Sequence, residues 1–335
     1  EQGLGDSIQF VRYAKHLAQM AIQATVVAQP PLVTLFNESG IPTIGPSDAW
    51  PMPEPSWLPL LSLPGLLAVS PGVPTTPTPY LSAAEAPPLA IAQTLAAQTA
   101  ALIALNWQGN PAVETANLSG RSIPLEALAP LSSIADITFV SVQKGDGAEQ
   151  LQDCSFRDRF VACQSQIEAI LDFTTIAAIL QRCNLLITTD TAVAHLAGAL
   201  GLPTWLLLHD VPDWRWGLTA ETTAWYPSMR LFRQTRSGDW QEVIGRAPDQ
   251  AAAALHRPTH EQLSGHPLWP TIPGGQLLNQ AQQQRDAGLL HQEAGREGLL
   301  RRTGKIQRRW ITSWQATRPG FRLRREPIHH HAIQR

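Results

Sequence analysis

The hydrophobic and polar positions of the first sixty residues are spaced as in short helices and strands. Apolar side chains return at helical spacing from Ser7 to Ala21 and from Pro31 to Glu38, and each stretch predicts a helix. The run at 24–28 is continuously apolar and predicts a buried strand. Two further short strands are predicted at 41–44 and 58–61.

The pattern becomes regular after residue 100, where short apolar runs alternate with segments of helical periodicity. Strands are predicted at 101–107, 137–142, 160–163, 185–188 and 204–208. Helices are predicted at 125–132, 174–183 and 192–200. Strands that alternate with helices form βαβ units around a parallel sheet. The sequence therefore predicts an α/β fold, with two Rossmann-like domains that face a cleft.

Prolines divide the chain. Thirteen of them fall between Pro42 and Pro88, which predicts an irregular stretch and an interdomain crossing around residues 70–95. The predicted division is 1–95 for an N-terminal domain, 96–255 for a C-terminal domain and 256–335 for a tail. A glycine loop follows Glu1 at once, where a strand should already have ended, so the first strand of the N-terminal domain is expected to be missing.

Charge separates the tail from the rest of the chain. Residues 260–335 hold 12 Lys and Arg against 5 Asp and Glu, whereas residues 1–259 hold 13 against 22. Net charges of +7 and −9 thus lie behind the overall value of −2. The tail is expected to be a disordered or weakly helical extension, and a nucleic-acid partner is not expected.

Composition narrows the class of protein. A hydrophobic fraction of 44% excludes wholesale disorder, and three scattered cysteines exclude a disulfide framework or a zinc cage. The longest apolar stretch, 192–208, is interrupted by His195 and by Gly201 and Pro203, so no transmembrane segment is predicted. No secretory signal opens the sequence, and a cytoplasmic location is expected.

The glycine loop Gly3-Leu4-Gly5-Asp6 lies between a presumed strand and a helix. A dinucleotide fingerprint needs a third glycine three residues after Gly5, and Ile8 stands there, so NAD binding is not expected. Asp6 would lie at the carboxyl edge of a parallel sheet, where it could act as a general base. The alternative is that Asp6 caps the helix that follows.

The segment Thr188-Thr189-Asp190-Thr191 ends a strand and opens a helix of small residues. Free backbone N–H groups at such a helix start form an anion site. His195 lies one turn further on, on the same face of the helix. The alternative is ordinary helix capping by Asp190 or Thr191, with a half-buried histidine.

Several motifs together resemble glycosyltransferase family 9, the heptosyltransferase-like enzymes of the GT-B fold. The resemblance is greatest to the bacterial domains of this type that follow tetratricopeptide repeats. The matching segments are EQGLGDSIQFVRYAKHLA (1–18), LLSLPGLL (60–67), NWQGNP (106–111), GRSIPLEALAPL (120–131), SVQKG (141–145), TTDTAVAHLAGALGLPTWLLL (188–208), VPDWRW (211–216) and WYPSMRLFRQ (225–234). Residues 112–119 and 50–57, including Trp57, depart from the family pattern.

The resemblance implies roles for individual residues. Asp6 would be the catalytic base. The donor diphosphate would be bound by Arg121, Lys144, Asp190, Thr191, Ala192 and His195. Further residues expected to line the cleft are Gly3, Gly5, Gln9, Asn110, Gln143, Asp213 and Trp214. No Asp-x-Asp motif occurs, so neither a metal nor another cofactor is expected.

The predicted function is an inverting, metal-independent glycosyltransferase. The predicted partners are a nucleotide-sugar donor, a glycan, lipid-linked or protein acceptor, and tetratricopeptide repeats upstream in a longer chain. Two alternatives remain open at this point. One is a degenerate module that binds nucleotide or glycan without catalysis, and the other is a scaffold that partners the upstream repeats.

Overall fold

The computed structural model describes residues 3–48, 56–69, 76–83, 86–114 and 120–246. All of them belong to one compact unit, Glu1–Thr259. The predictions for the basic tail, for most of the loop 112–119 and for a strand before Gly3 lie outside these residues, as does most of the proline-rich segment 50–57.

The N-terminal part contains a two-stranded parallel sheet between short helices. Its elements are α1 (Leu4–Phe10), α2 (Arg12–Gln19), β1 (Val26–Val27), α3 (Pro30–Glu38) and β2 (Thr43–Ile44). Strands β1 and β2 pair in parallel, with Val26 opposite Thr43. The helix predicted over 7–21 is therefore two helices, and the first begins earlier, at Leu4. The helix ladder tightens at the junction, where Ala14 donates to the carbonyl of Val11, three residues back.

The proline-rich segment after β2 contains short helices where a strand and an irregular crossing were predicted. The strand predicted at 58–61 is wrong: a 3₁₀ turn, Leu60–Ser62, leads into helix α4 (Leu63–Leu66). Pro64 fits the first turn of α4, because a missing N–H costs nothing there. Helix α5 (Leu89–Ala96) begins directly after its N-cap residue, Pro88, inside the stretch predicted to be an irregular crossing. The domain boundary near residue 95 stays a prediction.

The C-terminal part is built on a five-stranded parallel sheet. Its strands are β3 (Ala101–Asn106), β4 (Ile137–Ser141), β5 (Leu185–Thr189), β6 (Thr204–Leu208) and β7 (Met229–Arg233). Its helices are α6 (Pro111–Glu114), α7 (Gln164–Glu168), α8 (Phe173–Leu180), α9 (Ala192–Ala199) and α10 (Trp240–Gly245). The predicted α/β class with parallel sheets is confirmed.

Some local predictions differ from the structure. The segment 125–132 forms a 3₁₀ helix, Leu125–Ser133, with Pro130 inside it. The strand predicted at 160–163 is reduced to a single bridge between Phe160 and Phe139. Strand β7 was not predicted, because its arginines, Arg230 and Arg233, interrupt the apolar run of an edge strand.

The strand order is β4-β3-β5-β6-β7. The chain therefore leaves β3 toward one side of the sheet, for β4, and returns to its other side with β5. In open α/β sheets a crevice forms outside the carboxyl ends of the strands at such a reversal, and ligands bind there. Asn106 ends β3 and Thr189 ends β5, so the topology places the Thr-Asp-Thr segment at the reversal point.

A buried arginine ties three distant segments together. Arg12 has no exposed surface, and its guanidinium donates to the hydroxyl of Tyr80 and to the carbonyl of Trp225, both at 3.1 Å. Its Nε donates to the carbonyl of Gln9 at 3.0 Å. The cation also lies over the rings of Tyr80 and Tyr226, 4.4 and 5.0 Å from their centroids. A buried charge is tolerated only when it is surrounded in this way.

We expect Arg12→Met to lower the free energy of unfolding by about 2–4 kcal/mol, because the buried acceptors around it lose a charged donor. The matched control is Arg246→Met, since Arg246 makes an exposed ion pair with Glu242 in α10 and should cost less than about 1 kcal/mol. Urea denaturation followed by circular dichroism measures both. Equal losses in the two variants would contradict the role of Arg12.

Candidate functional site

Asn106 organises the carboxyl ends of β3 and β5. Its Oδ1 accepts hydrogen bonds from the hydroxyls of Thr188 (3.1 Å) and Thr191 (2.6 Å). Its Nδ2 donates to Oε1 of Gln143 at 2.7 Å. The predicted site did not include Asn106, although the NWQGNP motif contains it. The sequence feature that could have identified it is a polar residue at the end of an otherwise apolar strand.

The side-chain amide of Gln143 is hydrogen-bonded to several backbone groups. Its Oε1 also accepts from the N–H groups of Trp107 and Gln108, and its Nε2 donates to the carbonyls of Gln108 and Asp146. The side chain is buried. Gln143 therefore fixes the loop after β3 and presents no free amide to a ligand.

The start of α9 carries no side-chain cap. Thr191 is the N-cap residue, with extended backbone angles, and its hydroxyl donates to Asn106 and not to the helix. The carboxylate of Asp190 does not cap the helix either. The capping alternative is thus not observed. The first N–H groups of α9, beginning with Ala192, receive no side-chain cap, and such groups can bind an anion.

Arg121 lies beside the same helix start. Its Nη1 donates to the carbonyl of Asp190 at 3.2 Å, and its Nε pairs with Oε1 of Glu114 at 3.1 Å. The guanidinium lies over Gly109, where a Cβ would be 2.4 Å from Nη2. Asp190 itself is buried, and burial raises the pKa of its carboxyl group.

Helix α1 packs directly against α9. A Cβ on Gly5 would lie 2.7 Å from Cδ2 of His195 and 3.6 Å from Cα of Ala192, so glycine is required for this approach. Gly3 is the N-cap residue of α1, and Asp6 lies in its first turn without capping it. The close packing brings the carboxylate of Asp6 to the start of α9.

Arg215 joins the two sides of this contact. Its Nη2 donates to Oδ1 of Asp6 at 2.8 Å, its Nη1 lies 3.2 Å from Nε2 of His195, and its Nε lies 2.9 Å from Oδ1 of Asp213. Asp213 also caps the short 3₁₀ turn Trp214–Trp216. The predicted site residues included Asp213 and Trp214 of the motif VPDWRW but not Arg215. The signal available was an arginine next to an acid after a strand end.

His195 is an uncharged, fully engaged side chain. It is 2% exposed, its Nδ1 lies 2.9 Å from the hydroxyl of Tyr226, and its ring stacks on Trp216. Burial, and then the charges of Arg215 and Arg12, hold the pKa of the imidazole well below its usual value. Arginine can only donate, so Nε2 accepts and Nδ1 carries the proton toward Tyr226.

The remaining predicted residues are placed as follows. Lys144 donates to the carbonyl of Ile167, and burial lowers the pKa of its ammonium group to about 8. Asn110 is exposed and accepts from the N–H of Ala112. Gln9 is buried in α1. Trp214 is 61% exposed and its ring lies against the Arg215 guanidinium. Lys144 and Asn110 make none of the contacts that join Asp6, Asp190 and His195.

The described residues were also considered as possible metal ligands and as possible membrane-spanning helices. Within residues 3–246, apart from the segments that the structure does not describe, no group of three or more His, Cys, Asp or Glu side chains is placed to hold a metal ion. Over the same ranges, no helix has both the length and the apolar character needed to cross a bilayer.

Comparison with known proteins gives partial likenesses. No protein-family model matches the chain. Protein FlbA of Caulobacter vibrioides is 29% identical over 124 residues, which are 37% of this chain and 20% of that protein. The chain thus spans about a fifth of the length of this curated relative.

Solved structures of glycosyltransferases resemble the fold at low identity. Heptosyltransferase II of E. coli, which uses ADP-heptose, has a TM-score of 0.45 at 14% identity, covering 76% of this chain and 95% of that one. A glycosyl transferase family 9 protein from Veillonella parvula has a TM-score of 0.36 at 14% identity, with coverages of 58% and 56%. The spinosyn rhamnosyltransferase SpnG, complexed with thymidine diphosphate, has a TM-score of 0.34 at 17% identity, covering 64% of this chain and 48% of that one.

We expect Gly5→Ala to destabilise the protein by about 1–3 kcal/mol, because the new methyl group would overlap the ring of His195 and force α1 away from α9. Gly65→Ala in α4 is the control. No atom lies within 4 Å of the position its Cβ would take, so this change should stabilise the protein by up to about 1 kcal/mol. Thermal unfolding of both variants tests this. An unchanged melting temperature for Gly5→Ala would contradict the packing.

Stability should fall as the pH decreases from 7 to 5.5. The unfolded chain takes up a proton on His195 near pH 6.5, and the folded protein does not, because its pKa is depressed. The loss from this residue is about 1 kcal/mol over that interval. His195→Gln should remove that part of the slope, while the part from His209, whose pKa is also lowered by burial, remains. Urea denaturation at each pH measures the free energy of unfolding. An equal loss between pH 7 and pH 5.5 in wild type and His195→Gln would refute the assignment.

Proposed function

We propose that the chain binds the diphosphate of a nucleotide sugar at the start of α9 and transfers the sugar to an acceptor hydroxyl. The observation that carries this proposal is the uncapped start of α9 at the reversal point of the sheet, with a carboxylate brought to it by α1. Helix N-termini bind phosphate through free N–H groups and the helix dipole. Arg121 and Arg215 supply the nearby positive charge.

In the proposed reaction, Asp6 takes the proton from the acceptor hydroxyl. The acceptor oxygen then attacks the anomeric carbon, and the bond from that carbon to the diphosphate oxygen breaks. The nucleoside diphosphate leaves with the electron pair of that bond, and in-line attack inverts the anomeric carbon. The start of α9 and the two guanidinium groups would stabilise the charge that develops on the diphosphate.

His195 has a supporting part in this proposal. Its two nitrogens are engaged by Arg215 and Tyr226, so it orients Arg215 as a neutral acceptor. A direct contact between the imidazole and a phosphate would require one of these partners to leave. The family resemblance supports the finer parts of the proposal: a glycan, lipid-linked or protein acceptor, a cytoplasmic site of action and upstream tetratricopeptide repeats.

We expect Asp6→Asn to reduce sugar transfer at least about 100-fold, because the base is lost, while nucleotide binding persists. Release of nucleoside diphosphate from a panel of ADP-, GDP-, UDP- and dTDP-sugars, followed by mass spectrometry with candidate acceptors, measures transfer. Glu242→Gln, in the exposed pair of α10, is the control and should keep full activity. Full turnover by Asp6→Asn would remove Asp6 as the base.

A second candidate function is favoured by one observation. The carboxylate of Asp6 is ion-paired with Arg215, and this pairing would suit a module that binds nucleotide without turning it over. In that case the wild-type chain binds a nucleoside diphosphate but releases none from any donor in the panel.

A further inference from the structure

We propose that Arg215 exchanges partners between Asp6 and the donor diphosphate, so that Asp6 becomes a free base only after the donor has bound. This inference rests on the proposed function. It assigns Arg215 as a positioning residue that links donor binding to the availability of the base, and it predicts that the donor binds before the acceptor.

The geometry of Arg215 supports an exchange. Its Nη1 lies 3.2 Å from Nε2 of His195, and His195 stands one turn into α9, four residues after the Thr191 N-cap. The other terminal nitrogen, Nη2, reaches Asp6 on α1 at 2.8 Å. A single guanidinium therefore spans from the first turn of α9 to the proposed base.

The attachment of Arg215 also suits this role. The residue belongs to a short 3₁₀ turn after β6, Trp214–Trp216, and not to a sheet strand or a long helix. Asp213 caps the turn and lies 2.9 Å from Nε, so it contacts a different nitrogen from the two terminal ones that face Asp6 and His195. Guanidinium groups bind both carboxylates and phosphates through paired N–H donors.

Local charge makes competition unavoidable. Asp6 and Asp213 both contact Arg215, and Asp190 contributes further negative potential. His195 is uncharged, so it does not help to balance these acids. Arg121, the other cation placed at the start of α9, is paired with Glu114. A diphosphate bound at α9 would therefore compete with these carboxylates for the guanidinium groups.

Competition for one guanidinium has a measurable signature. If Arg215 can contact either Asp6 or the diphosphate but not both, the donor can bind only when the Asp6–Arg215 ion pair breaks. The free energy of breaking that pair then weakens donor binding. Removing the carboxylate then raises nucleotide affinity, and only when Arg215 is present. A general electrostatic effect of Asp6 would instead raise affinity whether or not Arg215 is present.

The test is a double-mutant cycle on nucleoside diphosphate affinity. Isothermal titration calorimetry of the 335-residue chain with ADP, GDP, UDP and dTDP first selects the nucleotide that binds. Affinities for it are then measured in wild type, Asp6→Asn, Arg215→Met and the double variant. Glu242→Gln, which breaks an unrelated exposed ion pair, is the control. Circular dichroism verifies folding, and Arg215→Gln replaces Arg215→Met if the latter does not fold.

The expected result is that Asp6→Asn binds the nucleotide about five-fold more tightly, the equivalent of a partly exposed ion pair. Arg215→Met should bind more weakly than wild type, and adding Asp6→Asn to it should change nothing. Equal or weaker binding by Asp6→Asn, or the same gain in both backgrounds, would overturn the exchange while leaving the proposed function intact. No binding of any of the four nucleotides by wild type would overturn both.

Discussion

The neutrality of His195 is the constraint on which the site depends. Two guanidinium groups lie near the imidazole. Arg215 contacts its Nε2, and Arg12 lies over the ring of Tyr226, whose hydroxyl contacts its Nδ1. A proton on Nε2 would face the Nη1 donor of Arg215, and Oδ1 of Asp190, at 3.9 Å, is too far away to accept it in a hydrogen bond. The uncharged ring instead accepts from Arg215 and donates to Tyr226. This arrangement holds Arg215 against Asp6 and fills the space that Gly5 leaves open.

Glycine is the second requirement, because it sets the distance between helices. Gly5 lets α1 reach the ring of His195, and Gly198 lets the ring of Tyr226 lie against α9, where a Cβ would be 2.4 Å from Cγ of that ring. The two glycines therefore accommodate opposite sides of the same cluster. A side chain at Gly5 would push α1, which carries the proposed base, away from α9, and one at Gly198 would displace the ring of Tyr226 that contacts His195.

Much of this could be predicted from the sequence, because strand periodicity and helix starts are local properties. Strands β3 and β5, helix α9 and the proximity of Asp6 to a helix terminus follow from the apolar runs and from the motifs. Arg215 and Asn106 could not be predicted as site residues. Their roles come from contacts with residues far along the chain, and no local spacing encodes those contacts. The segment around Pro64 and Pro88 was misread because proline ends helices in most positions but starts them in the first turn.

The surroundings of Arg12 have a consequence for how the chain is made. Helices α1 and α2 contain seven and eight residues, too few to persist alone in water. Their buried arginine takes one partner from Tyr80 and another from Trp225, which is 213 residues later in the sequence. During synthesis, Arg12 therefore lacks its Trp225 partner until most of the described chain has left the ribosome. Of the residues that the structure describes, helices α1 and α2 are thus among the last to become fully packed.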